Sequence, residues 1–296
     1  MNKVKPIRPP NLVLAGFAKC GTSTLADLLV SHPAISWNRG AKEPHTYSLT
    51  NRYIRRHDIK DIQEESIYSI DASTSYAPSK LALTRLHLDN PSAKILFICR
   101  DPIERVISHY NWYSKMGLRL LPINDELKVN TGDWSENDHI NYNWKYFIES
   151  SSYAKHILRA KEIFESVKIV YLEDLERDQA NTMQSVFTWL NLQAEFDSSK
   201  KHVANKTDEL NRKSGVDWAE RVRHLPRTLV KVIDYYVEPF LLHGAFKLHN
   251  RRAIHSLQLS NQILELLHED VNRYEDAGID IRKFLTFAKV FGNDSI

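Results

Sequence analysis

Three short stretches of the chain carry residue types and spacings suited to chemistry on an anion. In the first, Gly16 and Gly21 bracket a tight turn holding Lys19 and Cys20, and Thr22, Ser23 and Thr24 follow. Glycines let backbone N–H groups come close to a ligand. A helix opening at Thr22 adds its partial positive charge, and Lys19 and the hydroxyls supply further donors, so the stretch reads as a phosphate cradle. The second stretch is Arg100-Asp-Pro-Ile-Glu-Arg-Val-Ile-Ser-His-Tyr110. Arg105 and Ser108 are three apart on one helical face, so a guanidinium fork and a hydroxyl can converge on one phosphate beside Arg100. The third, Lys42-Glu-Pro-His45, offers a carboxylate and an imidazole that could take a proton from a substrate.

Each stretch needs a strand to aim it. Leu12 to Ala15 is an apolar run suited to a strand buried on both faces, and Leu25, Leu28 and Leu29 give the helix after the turn an apolar side. Ala34 to Trp37 is a short second strand leading to Lys42, and Ile67 to Asp71 a third, followed by the hydroxyl-rich turn Ala72 to Tyr76. Lys94 to Cys99 is a fourth strand, which fixes Arg100 at its carboxyl end. Asp101 suits the N-cap, Pro102 the first helical position and Glu104 the third. Helical periodicity recurs over Ser79 to Leu88, 153 to 164, Thr182 to Leu190 and Leu257 to Tyr274, and Val167 to Leu172 is a fifth strand. Strands alternating with helices predict an α/β domain, with a parallel sheet of about five strands flanked by helices and a helical C-terminal region from about 220 to 296. The nucleotide-binding core is expected over about 11–215, in one domain spanning 1–296.

The 296 residues carry a net charge of only +3, which argues against general nucleic-acid binding. Two cysteines, Cys20 and Cys99, both beside expected buried strands, suggest reduced thiols and a reducing, cytoplasmic setting. No signal segment or membrane span is expected. No His, Asp and Glu cluster has credible metal spacing, so no metal ion is expected. The aromatic stretch from 111 to 150, with Trp112, Tyr113, Trp134, Tyr142, Trp144 and Tyr146, could pack against sugar rings or simply cover the core. The glycine spacing is close to that of an ATP-binding loop, G-x-x-x-x-G-K-[ST], but Thr22 stands where that loop has its lysine. A small-molecule kinase with a degenerate loop and a non-catalytic nucleotide-binding protein remain alternatives.

A lysine inside the loop followed by Gly21-Thr-Ser-Thr-Leu25 resembles the 5′-phosphosulfate loop of sulfotransferases, and Arg100 to Tyr110 resembles their 3′-phosphate element. The resemblance covers most of residues 11 to about 215. It implies 3′-phosphoadenosine 5′-phosphosulfate as donor, adenosine 3′,5′-bisphosphate as product, and an acceptor hydroxyl or amine on a glycan or other small molecule. It also implies donor binding by Lys19, Cys20, Gly21, Thr22, Ser23, Thr24, Arg100 and Ser108, with Arg212 and Lys213 on a basic loop that closes over the nucleotide. Lys42-Glu-Pro-His45 and Asp71 to Tyr76 resemble elements of the carbohydrate and bacterial branch. By that resemblance Glu43 is the base, with Lys19 and His45 also catalytic, and Lys42, Asp71 and Tyr76 meet the acceptor. Asp71 replaces that branch's glutamate and Thr74 its proline, which leaves the acceptor open.

Overall fold

The computed structural model describes residues 9–48, 66–115, 120–129, 147–193 and 258–291. Arg212, Lys213, Trp134, Tyr142, Trp144 and Tyr146 lie outside them.

Five strands form one parallel sheet: β1 (Leu12–Gly16), β2 (Ile35–Trp37), β3 (Tyr68–Asp71), β4 (Lys94–Cys99) and β5 (Val167–Tyr171), in the order β2-β3-β1-β4-β5. The apolar runs are the physical reason. Every residue of β1 and all but the first of β4 are buried, and fully burying one such side chain contributes roughly 1.5–3 kcal/mol. From β1 the chain crosses to the edge strand β2, returns to β3 beside β1, and then passes to the other side through β4 and β5. The carboxyl ends of β3, β1 and β4 therefore flank the point where strand order reverses, the usual ligand crevice of an open parallel sheet.

Helices α1 (Thr22–Val30), α2 (Lys80–Asp89), α3 (Pro102–Lys115), α4 (Ile123–Val129) and α5 (Tyr153–Ile163) follow in chain order, then α6 (Leu172–Arg177) and α7 (Gln179–Trp189). Leu172 opens α6 rather than ending β5, and α7 starts three residues before the expected Thr182. Asp101 caps α3 as its position predicts, its Oδ1 accepting from the N–H groups of Ile103 at 3.0 Å and Glu104 at 3.4 Å.

The expected helix from Leu257 to Tyr274 is three pieces instead: α8 (Asn261–His268), a 3-10 turn (Val271–Arg273) and α9 (Tyr274–Ala277). Asp270 accounts for the break. Its carboxylate accepts from the N–H groups of Ala154 at 2.7 Å and Lys155 at 3.3 Å, capping α5, whose own N-cap Ser152 makes no side-chain capping bond. The last element, α10 (Leu285–Phe291), buries Phe287.

Candidate active site

The loop after β1 is held from both sides. Phe17 N–H donates to the Ile98 carbonyl of β4 at 3.1 Å, and Cys20 N–H to the Phe17 carbonyl at 3.1 Å. Lys19 and Gly21 adopt left-handed backbone conformations, φ 70° and 88°. The φ at Gly21 favours glycine, and a Cβ there would lie 2.7 Å from Leu172 Cδ1, so that side chain would have to shift. Gly21 is also the N-cap of α1, where no side chain caps the first turn, so that helix end is built to face an anion. Lys19 Nζ rests over the Trp112 ring, 5.4 Å from its centroid. Thr22 and Thr24 are buried, and Cys20 is fully buried against Tyr153, with Sγ 3.4 Å from the phenol oxygen. Burial pushes the Cys20 thiol up to about 11, which keeps it protonated.

The loop after β2 delivers the third stretch to the same crevice. Lys42 Nζ donates to Ser23 Oγ at 2.7 Å and to Glu43 Oε1 at 2.8 Å, joining the first turn of α1 to the carboxylate. The second Glu43 oxygen has Thr74 Oγ1 at 3.4 Å and His45 Nε2 at 3.5 Å. Burial drives His45 down to about 4, against the upward pull of Glu43, so the ring is neutral near pH 7. Its Nδ1 pairs with Ser75 Oγ at 3.0 Å.

Asp71 and Tyr76 lie under these loops, both at 0% exposure. Asp71 Oδ1 accepts from Ser73 Oγ at 2.5 Å and Ser73 N at 3.0 Å, and its Oδ2 accepts from Tyr76 at 2.8 Å. The Tyr76 oxygen in turn accepts from Tyr47 N–H at 3.2 Å, and Ser73 Oγ from His45 N–H at 2.9 Å. The pair thus ties the hydroxyl-rich turn after β3 to the Glu43 loop. Burial raises the Asp71 carboxyl to about 6 despite the bonds it accepts.

The two arginines of the second stretch part company. Arg100, at the end of β4, is partly exposed and donates to the Lys19 carbonyl at 3.4 Å and toward Glu104 Oε2 at 3.5 Å. Arg105 does not share a ligand-facing surface with Ser108, contrary to the sequence expectation. It is 0% exposed, donating to Ser151 Oγ at 2.6 Å, to the Ala18 carbonyl at 3.2 Å and to the Phe147 carbonyl. Its fork holds the loop after β1 from beneath. Ser108 stays half-buried on α3.

Sequence reasoning passed over two residues here. Glu173 accepts from Asp101 N–H at 2.7 Å and so locks the turn after Arg100. Burial raises its carboxyl. Tyr153 donates to the Arg100 carbonyl at 2.8 Å. Each partner lies more than fifty residues away, so no local spacing could signal it. Among the described residues no group of three or more His, Cys, Asp and Glu could hold a metal ion, and no helix is long and apolar enough to cross a membrane.

Known proteins resemble this chain in fold and in sequence. The fold is similar to the crystal structure of a sulfotransferase from Alicyclobacillus acidocaldarius, with a TM-score of 0.63 and 19% identity over 93% of this chain and 98% of that one. In sequence it is 22% identical over 245 residues to bifunctional heparan sulfate N-deacetylase/N-sulfotransferase 1 of Caenorhabditis briggsae, and 24% identical over 247 residues to carbohydrate sulfotransferase 15 of Rattus norvegicus. These matches take in 74% and 62% of this chain but only 28% and 44% of those relatives' lengths. The sulfotransferase domain model matches residues 9–232, and the chain therefore belongs to the sulfotransferase-domain family.

Proposed function

We propose that this sulfotransferase moves the sulfuryl group to a hydroxyl or amine of a carbohydrate or similar small acceptor, with Glu43 as general base. The observation that carries the reading is the Lys42 ammonium, hydrogen-bonded to Ser23 at 2.7 Å and to Glu43 at 2.8 Å. One cation spans the helix end of the phosphate cradle and the carboxylate, so base and cradle stand two hydrogen bonds apart. The names of the relatives and the Lys42 to His45 likeness support a carbohydrate acceptor.

The residues present fit the donor. Lys19, the uncapped first turn of α1 and the backbone of Cys20 to Thr24 offer cations and N–H groups to its 5′-phosphate end, and Arg100 and Ser108 take the 3′-phosphate. The bound donor supplies an activated sulfuryl group, whose bond to the 5′-phosphate breaks as the acceptor oxygen attacks. Lys19 and the loop N–H groups stabilise charge where it builds on the departing phosphate. Glu43 removes the acceptor proton, and Lys42 holds that carboxylate toward the cradle. His45, neutral at pH 7, orients the second Glu43 oxygen. Asp71 and Tyr76 act from below, by fixing the loops that meet the acceptor. Arg212 and Lys213 are assigned to donor binding on the family likeness alone. Two buried free cysteines support a reducing compartment.

The test is Glu43→Gln, which keeps size and polarity. A positioned base contributes about 100-fold to 10,000-fold, so transfer to a hydroxyl acceptor should drop at least about 100-fold while affinity for adenosine 3′,5′-bisphosphate holds. Near-normal turnover in that variant, with His45→Ala inactive, would move the base to His45.

A further inference from the structure

The segment from Asp280 to Phe291 lies beyond the region that the family model covers, which ends at residue 232, and its sequence carries no motif. Its contacts nevertheless gather at the carboxyl ends of β4 and β5. Asp280 N–H donates to the Tyr171 phenol oxygen at 2.6 Å, and Lys283 Nζ to Asp174 Oδ1 at 3.0 Å. The Phe284 ring packs on Tyr171 and Tyr153 with centroids 5.8 and 6.2 Å away. Phe287 N–H donates to Asp101 Oδ2 at 2.8 Å, and Thr286 Oγ1 to Glu104 Oε1 at 3.3 Å. The other Glu104 oxygen faces Arg100 Nη2 at 3.5 Å, and Arg100 Nη1 donates to the Lys19 carbonyl at 3.4 Å. A continuous polar line thus runs from α10 through Glu104 and Arg100 to the phosphate loop.

We propose that Thr286 is a positioning residue for the sulfuryl donor: it fixes Glu104, and Glu104 holds the Arg100 guanidinium ready for the 3′-phosphate. The inference rests on the reading of Arg100 given above. A long arginine loses rotamer freedom when it grips a ligand, and holding the fork beforehand lowers that cost. Glu104 is 43% exposed and would turn freely without a second tether, which Thr286 provides. Phe287 steadies the backbone as well, because Asp101, which accepts from it, caps the helix that begins just after Arg100.

Binding of adenosine 3′,5′-bisphosphate and adenosine 5′-monophosphate, measured by calorimetry on the full chain, tests this, because the ratio of the two affinities isolates the 3′-phosphate. Thr286→Val should lower the ratio by about threefold to tenfold, the effect of one hydrogen bond, while affinity for the monophosphate and the thermal midpoint stay as they are. Thr286→Ser should restore it. An unchanged ratio in Thr286→Val, or equal weakening of both ligands, overturns the proposal. Arg100→Ala keeps the outcomes apart. If it leaves the ratio intact, the reading of Arg100 falls. If it abolishes the ratio and Thr286→Val does not, only the role of α10 is overturned.

Discussion

Arg100 and Arg105 stand five positions apart in one motif and face opposite ways, which decides what each can do. Arg100 keeps donors at the crevice, whereas Arg105 is enclosed by the Ala18 and Phe147 carbonyls and Ser151. The proposal that Arg100 and Ser108 take the 3′-phosphate predicts that the protein prefers adenosine 3′,5′-bisphosphate to ADP. Hydrogen bonds to a charged group contribute roughly 1.5–3 kcal/mol each, so losing two weakens binding by about 100-fold or more. Calorimetry giving equal affinities would refute the assignment. Arg105→Met should instead lower folding stability, because the Ala18 carbonyl loses its arginine donor at a cost of about 1–3 kcal/mol, while the Phe147 carbonyl keeps the Ser151 hydroxyl at 3.1 Å. A denaturant titration of that variant matching the parent would contradict the anchoring role. The glycine turn before α1 and the capped turn after Arg100 were legible because residue types and spacing there are local. The inward turn of Arg105 was not, since its partners at Phe147 and Ser151 come some forty residues later.

At the scale of elements, the five strands were readable because buried parallel strands are short apolar runs, and those at 12, 35, 68, 94 and 167 are bounded by turn residues. The C-terminal helix was misjudged for a physical reason. Its periodicity runs on through Val271 and Tyr274, but Asp270 is drawn to the N-terminus of α5, 116 residues away in the chain. Capping of one helix by a residue of another leaves no trace in either sequence pattern. Asp270 is also paired with Arg273 at 2.7 Å, and burial raises its carboxyl. Asp270→Ala should therefore cost about 1–2 kcal/mol of stability, the range of a lost N-cap. Urea unfolding checks it, and a loss below about 0.5 kcal/mol would mean that solvent caps α5 equally well.

Across the whole molecule, burial has pushed two kinds of group in opposite directions, and their titrations oppose each other in one pH window. His45 and His156 each fall from 6.5 to about 4, and Asp71 rises from 3.8 to about 6. His156 is fully enclosed, its Nε2 on the Glu149 carbonyl at 3.0 Å and its Nδ1 without a hydrogen-bond partner, so a second ring proton has nowhere to go. For a histidine whose folded value is depressed, the unfolded chain binds the proton first. Its contribution is present above pH 6.5 and is lost as pH falls toward 4. For Asp71, raised on folding, the folded chain holds the proton longer, and stability is lost as pH climbs through 6. Each shift corresponds to about 3 kcal/mol, with opposite signs. His156→Gln keeps a donor for Glu149 and cannot be charged, so relative to the parent it should gain about 3 kcal/mol between pH 7 and pH 4. Asp71→Asn should gain in the other direction, as pH rises from 4 to 7. Chemical unfolding of both variants at intervals across that range checks the signs, and difference curves sloping the same way would overturn the assignment of these two groups.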